Sequence, residues 1–534
     1  MSRRLAICLI NPRSRPSYWT GDYAIPFLSL GRGIKYSMAN GSLVSVAALV
    51  PAEHEVVLID ENVEAIDFAS LSRFDVIGVT GMIVQADRMR EILRRLRALP
   101  ALVAVGGPFV SVSERTFDGL CDVRFVGEAE DTWPAFLRAL ASGEPFAPRY
   151  EQTEKTDMTR VPVPRFDLLR RGRYGSAPVQ FSRGCPFLCE FCDIITIYGR
   201  RPRTKRPEQV LAELEALLAQ GFRGCFLVDD NFIGNKVEAK RLLRHIVEWQ
   251  SARGFPLTFA TEASANLADD RELIDLMVQA NFRSVFIGIE TPRKASLTET
   301  RKLQNIHGDS LLDKVARVRS RGLGVSAGFI VGFDHDDEGI FDEQFAFIQA
   351  SGIPTLSISL LTPLPTTPLY DRLRAEGRLD FSDTELIFTP RLMTRERLKS
   401  GFRELLNRVY GVEAFFDRVY SAAPPPPRTS EGPAGPRPPR PTLTRRVLVY
   451  GAWAVRAVML AAVMARHGEL RRHLRALPGV LRRNAARGPA AFGFCDFVGL
   501  WITYWHFARV TRDISGTDFG TVPAAAPAVT NAVI

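Results

Sequence analysis

The chain has 534 residues, 46% hydrophobic and 24% charged, which excludes a wholly disordered protein and allows several buried cores. Its 69 Lys and Arg exceed its 59 Asp and Glu by 10, and Pro441 to Arg512, with 12 Arg against Glu469 and Asp496, holds that whole excess. The body is neutral, so no nucleic-acid partner is expected, and an anionic partner is sought at the C-terminus.

Seven cysteines (8, 121, 185, 189, 192, 225 and 495) and an N-terminus without a secretory leader pattern point to reduced thiols in a cytoplasm. Every apolar stretch approaching about 18 residues is interrupted. Val447–Met464 contains Arg456, and Ala491–Ala508 contains Asp496 and His506. A surface-lying helix is expected there in preference to a spanning one.

Residues 1–145 alternate β-branched runs with helical patterns: strands are predicted at Leu5–Asn11, Glu55–Asp60, Asp75–Thr80, Leu102–Gly106 and Asp122–Gly127. That order implies a doubly wound, Rossmann-like parallel sheet whose ligand sits at the strands' carboxyl ends. The loops there carry Thr80-Gly81, Gly106-Gly107 and Gly127-Glu128, which read either as tight turns or as backbone for close ligand approach. His54 is expected to cap a surface turn. Residues 146–176 form a polar, Pro-containing linker.

A second βα series over 177–375 predicts strands at Val179–Ser182, Cys225–Val228, Leu257–Thr261, Ser284–Ile289, Val325–Val331 and Leu356–Leu360. Six such units suggest a partial (β/α)6 barrel. A helical extension (376–422), a Pro-rich linker (423–442), a basic helical tail (443–516) and a disordered end (517–534) complete the chain. The fold class is therefore α/β with an α-helical C-terminal region.

The sharpest motif is Cys185-Pro-Phe-Leu-Cys189-Glu-Phe-Cys192, on a loop opened by Ser182-Arg183-Gly184. Three thiolates so spaced can turn to one point and select zinc, copper(I) or an iron–sulfur cluster. Structural zinc wants four ligands, usually in two pairs, and no second pair follows. Three thiolates on a cubane leave one iron open to an outside ligand.

This CxxxCxxC resembles that of the radical S-adenosylmethionine (SAM) enzymes. The resemblance implies that Cys185, Cys189 and Cys192 hold a 4Fe–4S cluster whose open iron chelates SAM. It also implies that Phe191 packs near adenine and that Asp230 and Asn231, in Asp229-Asp230-Asn231-Phe232, meet the SAM amino group. Glu262 and Glu290, at strand ends, stand at positions for further polar contacts to SAM, and Gly328 and Gly332 lie in a segment like the family's adenine-contacting strand.

The preceding domain resembles that of the cobalamin-binding subclass, with Thr80, Gly81, Gly106, Gly107, Gly127 and Glu128 as the implied corrin contacts. No D-x-H-x-x-G occurs, so no histidine of that motif reaches cobalt. Cys192-Asp193-Ile194, Tyr198–Arg203 and Gly288-Ile289-Glu290-Thr291-Pro292 look like the hopanoid C-2 methylases and the related bacteriochlorophyll methylases.

The reaction implied by the resemblance is methyl transfer to an unactivated carbon. One SAM supplies a methyl group to cobalamin. Another is cleaved to a 5′-deoxyadenosyl radical, which abstracts a substrate hydrogen before the methyl is delivered. A lipid-like substrate, hopanoid or otherwise polycyclic or isoprenoid, and an external low-potential electron donor are expected. The alternatives are cyclisation, rearrangement or oxidation without methyl transfer, and methylation of a tetrapyrrole.

Gly199–Lys205, with Arg200, Arg201, Arg203 and Lys205, reads as a solvated loop, or else as a holder for an anionic group. Cys8, Cys121 and Cys225 read as small buried hydrophobes. The Arg-rich tail suits either peripheral contact with the membrane's inner face or a helical hairpin packed on the barrel.

Overall fold

The computed structural model describes residues 3–383, 385–421, 443–488 and 491–516. The linker expected over 423–442 and the end expected over 517–534 lie outside the described residues.

Two parallel sheets organise the body. The first joins β1 (Ala6–Asn11), β3 (Glu55–Asp60), β4 (Val76–Thr80), β5 (Leu102–Gly106), β6 (Val123–Gly127) and β7 (Arg149–Gln152), after the short β2 (Tyr36–Met38) has left for the second. Its order is β3-β1-β4-β5-β6-β7, all parallel, a doubly wound arrangement. Helix Ala86–Leu96 shows why the layers close. Its Met89, Ile92, Leu93 and Leu96 recur at helical spacing and are fully buried, each burial contributing about 1.5–3 kcal/mol.

The second sheet runs β15-β14-β13-β12-β11-β8-β2. Its strands are β8 (Tyr174–Val179), β11 (Gly224–Leu227), β12 (Thr258–Ala263), β13 (Phe282–Glu290), β14 (Gly324–Val331) and β15 (Leu356–Leu360), with β2 added at the open edge. This curled parallel sheet is the expected half-barrel. Between β8 and β11, β9 (Ser182–Arg183) pairs antiparallel with β10 (Arg203–Thr204).

Several expectations shift. The first barrel strand ends at Val179 and does not begin there, so the cysteine loop has a longer approach. The stretch read as a linker contributes β7 to the first sheet. His54 is buried, with its Nδ1 accepting from the Leu5 amide at 3.4 Å, and does not cap a surface turn. Asp60 ties the sheets together, accepting from Asn11 Nδ2 and from the Tyr174 hydroxyl, each at 3.0 Å.

The tail forms helices Leu443–Arg466, Leu470–Ala485 and Phe494–Gly516. Its third helix packs on the body: the rings of Tyr18, Tyr410 and Phe507 form a mutually contacting trio with centroids 5.3–5.5 Å apart, and Tyr504 and Trp505 are almost fully buried. Despite Arg456, the segment Leu448–Arg466 is long and apolar enough by length and composition to cross a membrane.

Candidate functional site

A cavity of about 430 Å³ separates the two sheets. One wall is the set of carboxyl-end loops of the first sheet, including Thr80, Gly81, Gly106, Gly107, Gly127 and Glu128. The other contains Gln180, Arg183 and Tyr198, from the segments that flank the cysteines, and Asp230, just after β11. Gly107 (φ +109°) and Gly127 (φ +80°) have left-handed backbones that favour glycine, and a Cβ on Gly107 would collide with Thr80 Oγ1. These loops are thus both tight turns and cavity lining, and the two readings of their glycines coexist.

An internal charge cluster crosses the same junction. Glu128 pairs with Arg183 at 3.1 Å and Arg203 at 2.9 Å and accepts from the Thr156 amide at 2.6 Å. Glu130 pairs with Arg183 at 2.7 Å. Burial pushes the Glu128 carboxyl up, but the two guanidiniums and the amide outweigh it and hold it below the carboxylate range. Within the loop read as solvated, Arg203 therefore bonds across the junction, and buried Lys205 pairs with buried Glu213. The β9–β10 pairing is what carries Arg203 beside Arg183.

The cysteine loop is held from several sides. Asp229, at the end of β11, accepts from the Phe181 and Ser182 amides and from Ser182 Oγ at 2.7–2.9 Å, and Asp230 accepts from the Gly184 amide at 2.9 Å. Burial pushes Asp229 up to about 7 and Asp230 up to about 6. Beyond the turn, Glu190 pairs with Arg372 at 2.7 Å.

Side-chain amides face two of the sulfurs: Asn231 Nδ2 lies 3.8 Å from Cys185 Sγ, and Gln304 Nε2 lies 3.5 Å from Cys189 Sγ. Lys302 pairs with Glu290 at 2.6 Å and stands 5.8 Å from the Phe191 ring centre. Burial opposes its charge, but Glu290 and the Cys189 and Cys192 sulfurs hold its ammonium above the ordinary lysine range. Glu290 adopts φ +65°, a strained conformation for a residue with a side chain. Burial pushes the Cys185 thiol up and the Cys192 thiol up to about 12, so metal binding must displace their protons.

Among the described residues, no three His, Cys, Asp or Glu stand close enough to share one metal ion. Thiols that ligate separate irons need not meet at a single ion, so this spacing with amide donors at the sulfurs fits a cluster better than mononuclear zinc.

Glu262 opens onto the barrel interior and makes no ion pair among the described residues. Although its side chain is exposed, the protein crowded around it pushes the carboxyl up to about 7, with Asp230 adding to the shift and Lys302 opposing it. Gly328 makes room for the Phe286 ring, and Gly332 (φ +112°) turns the chain at the end of β14. Of the sequence-selected residues, the cysteines, Phe191, Asn231 and Glu290 gather around the loop, and Asp230 with the glycine loops lines the cavity. Lys302 and Gln304 escape sequence reasoning, since no local motif marks them.

The radical SAM superfamily profile matches residues 179–348. The B12 binding domain profile matches 30–137, and a domain of unknown function (DUF4070) matches 367–517. An uncharacterized methyltransferase of Synechocystis sp. is 41% identical over 77% of this chain and 77% of its own length. A hopanoid C-2 methylase of Rhodopseudomonas palustris is 36% identical over 78% of this chain and 79% of its own. The fold matches the cobalamin-dependent SAM radical enzyme OxsB, solved with aqua-cobalamin and SAM, at TM-score 0.61 and 16% identity over 96% of this chain and 80% of that one.

Proposed function

The chain belongs to the cobalamin-binding methyltransferases of the radical SAM superfamily, and we propose that it methylates an unactivated carbon of a hopanoid-like or other polycyclic or isoprenoid lipid. Its cofactors are a 4Fe–4S cluster, SAM and cobalamin. When bound, the cluster supplies the electron that cleaves SAM, and cobalamin supplies the methyl group.

The observation that carries the reading is the shared cavity, which meets the first sheet's glycine loops on one side and the base of the cysteine loop on the other. Cys185, Cys189 and Cys192 would hold the cluster, with Asn231 donating to the Cys185 sulfur and Gln304 to the Cys189 sulfur. Lys302 offsets negative charge there. Glu262, free in the barrel interior, is placed to accept from a polar group of SAM. The glycine loops let a corrin approach the backbone, while the Glu128–Arg183–Arg203 cluster fixes the two halves and excludes water from the junction. Lipid substrate identity draws its support from the hopanoid C-2 methylase relative. An external low-potential donor supplies the electron, and the enzyme works on the cytoplasmic side.

The test is anaerobic. Reconstituted protein receives SAM, cobalamin, a low-potential reductant and a hopene-type lipid, and products are read by mass spectrometry. Methylated lipid with 5′-deoxyadenosine and S-adenosylhomocysteine, all lost in Cys189→Ala, is the expected result. Deoxyadenosine with an altered but unmethylated lipid would replace methyl transfer by rearrangement. A methylated tetrapyrrole with untouched lipid would replace the substrate class.

A further inference from the structure

The tail helix Leu443–Arg466 is anchored on one side only. Leu460 and Met464 are buried, Trp453 packs at Gly499 of the third tail helix, and Arg456 turns inward to donate to the Phe27 carbonyl at 2.8 Å. Only 11% of Leu448–Arg466 is buried, and its outer face presents Leu448, Val455 and Val458 at 68%, 51% and 70% exposure. Leu28 and Leu30, beside the Phe27 that Arg456 meets, are exposed as well.

The second tail helix, in contact with the first, adds exposed charge. Arg471, Arg475 and Arg482 share one exposed face with Leu474 and Leu481. None of these three arginines has an ion-pair partner among the described residues. The nearby acid, Glu469, is buried and consumed by Arg509 and Arg512. Apolar side chains beside unneutralised guanidiniums, with no acid between them, complement anionic headgroups over acyl chains.

We infer that this face, formed by Leu448, Val455, Val458, Arg471, Arg475 and Arg482, docks the enzyme peripherally on an anionic lipid bilayer. Arg456 and the buried Leu460 and Met464 keep the first helix on the protein, so it lies in the interface and does not span. Docking also serves the site. The N-terminal segment that carries Leu28 and Leu30 puts Trp19 edge-on to Phe286 of β13, at 5.1 Å, so the lipid-facing surface and the half-barrel share one connection. This rests on the lipid-substrate reading for its purpose only, because vesicle binding is measured without turnover.

The test is flotation of the full-length, anaerobically reconstituted protein with vesicles of phosphatidylcholine alone or with phosphatidylglycerol. Binding to the anionic vesicles at least about 10-fold above neutral ones, weakened by salt, is expected. The variant R471A/R475A/R482A should lose about 10- to 100-fold. V455D/V458D should lose binding with an unchanged circular-dichroism spectrum. Three results would overturn the inference: no binding to either vesicle, equal binding by both variants, or lipid-free dimers abolished by V455D/V458D, which make a second copy the occupant. Resistance to alkaline carbonate extraction would overturn it too, in favour of a span.

Discussion

Removing Lys302 isolates the electrostatics of the cysteine site. Lys302 and Glu290 are nearly enclosed, with side chains 12% and 10% exposed and 2.6 Å apart. Lys302→Met leaves Glu290 as an uncompensated buried carboxylate, which costs about 3–5 kcal/mol. For a folding unit of roughly 150–250 residues this lowers the midpoint of thermal unfolding by about 6–20 °C. Glu290→Gln in the same background removes the stranded charge, so the double variant recovers most of the loss and the coupling energy is about 2–4 kcal/mol. Circular-dichroism melts of the apo wild type, both single variants and the double variant give the cycle. Additive effects within about 0.5 kcal/mol would refute the reasoning. Lys302 would then be no partner of Glu290 in solution.

Four further expectations follow, three at the junction and the barrel interior and one at an exposed ion pair. Glu128→Gln removes the carboxylate charge shared by Arg183 and Arg203 and turns one of its oxygens into a donor, and should cost about 3–5 kcal/mol in urea unfolding. Arg165→Ala, which breaks an exposed pair with Asp167, should stay within about 0.5 kcal/mol. Gly107→Ala forces a side chain onto φ +109° against Thr80 and should cost about 1–3 kcal/mol. It should also reduce cobalamin retained through gel filtration. Glu262 sets a pH dependence. Its carboxyl is at about 7 folded against 4.5 ordinarily, so between those values the folded protein holds the extra proton and stability falls as pH rises. In apo melts, Glu262→Gln should match wild type below about pH 4.5, exceed it above about pH 7, and lessen the slope between.

Much of the fold is legible because its information is local. Glu55–Asp60, Leu102–Gly106 and Leu356–Leu360 are found as predicted, since each is a short apolar or β-branched run closed by turn residues. Besides the two-residue pair β9–β10, the strands missed are β2 and β7. Tyr36-Ser37-Met38 and Arg149-Tyr150-Glu151-Gln152 sit at sheet edges, need bury only part of their surface, and so carry no apolar pattern. The first barrel strand is displaced for a related reason. Tyr174–Val179 contains Gly175 and Pro178, which read as a boundary, yet the strand continues through them beside the edge strand β2.

The site divides in the same way. Cys185, Cys189 and Cys192 are legible because their chemistry demands close spacing on one loop. Arg203, Lys205 and Lys302 are not, because a charged side chain looks the same in sequence whether water or a buried acid receives it. Arg203 meets Glu128 from 75 residues away, and Gln304 meets Cys189 from 115. Long separations of this kind concentrate where the two sheets and the cysteine loop meet. They have a common physical origin: an enclosed site must pair every charge it buries, and the partners come from whichever elements the topology brings there. The β9–β10 pairing supplies Arg203, and the segment that follows helix Lys294–Glu299 supplies Lys302 and Gln304. The residues that do chemistry are therefore announced by motif, whereas the residues that make the chemistry tolerable inside the protein emerge only from its topology.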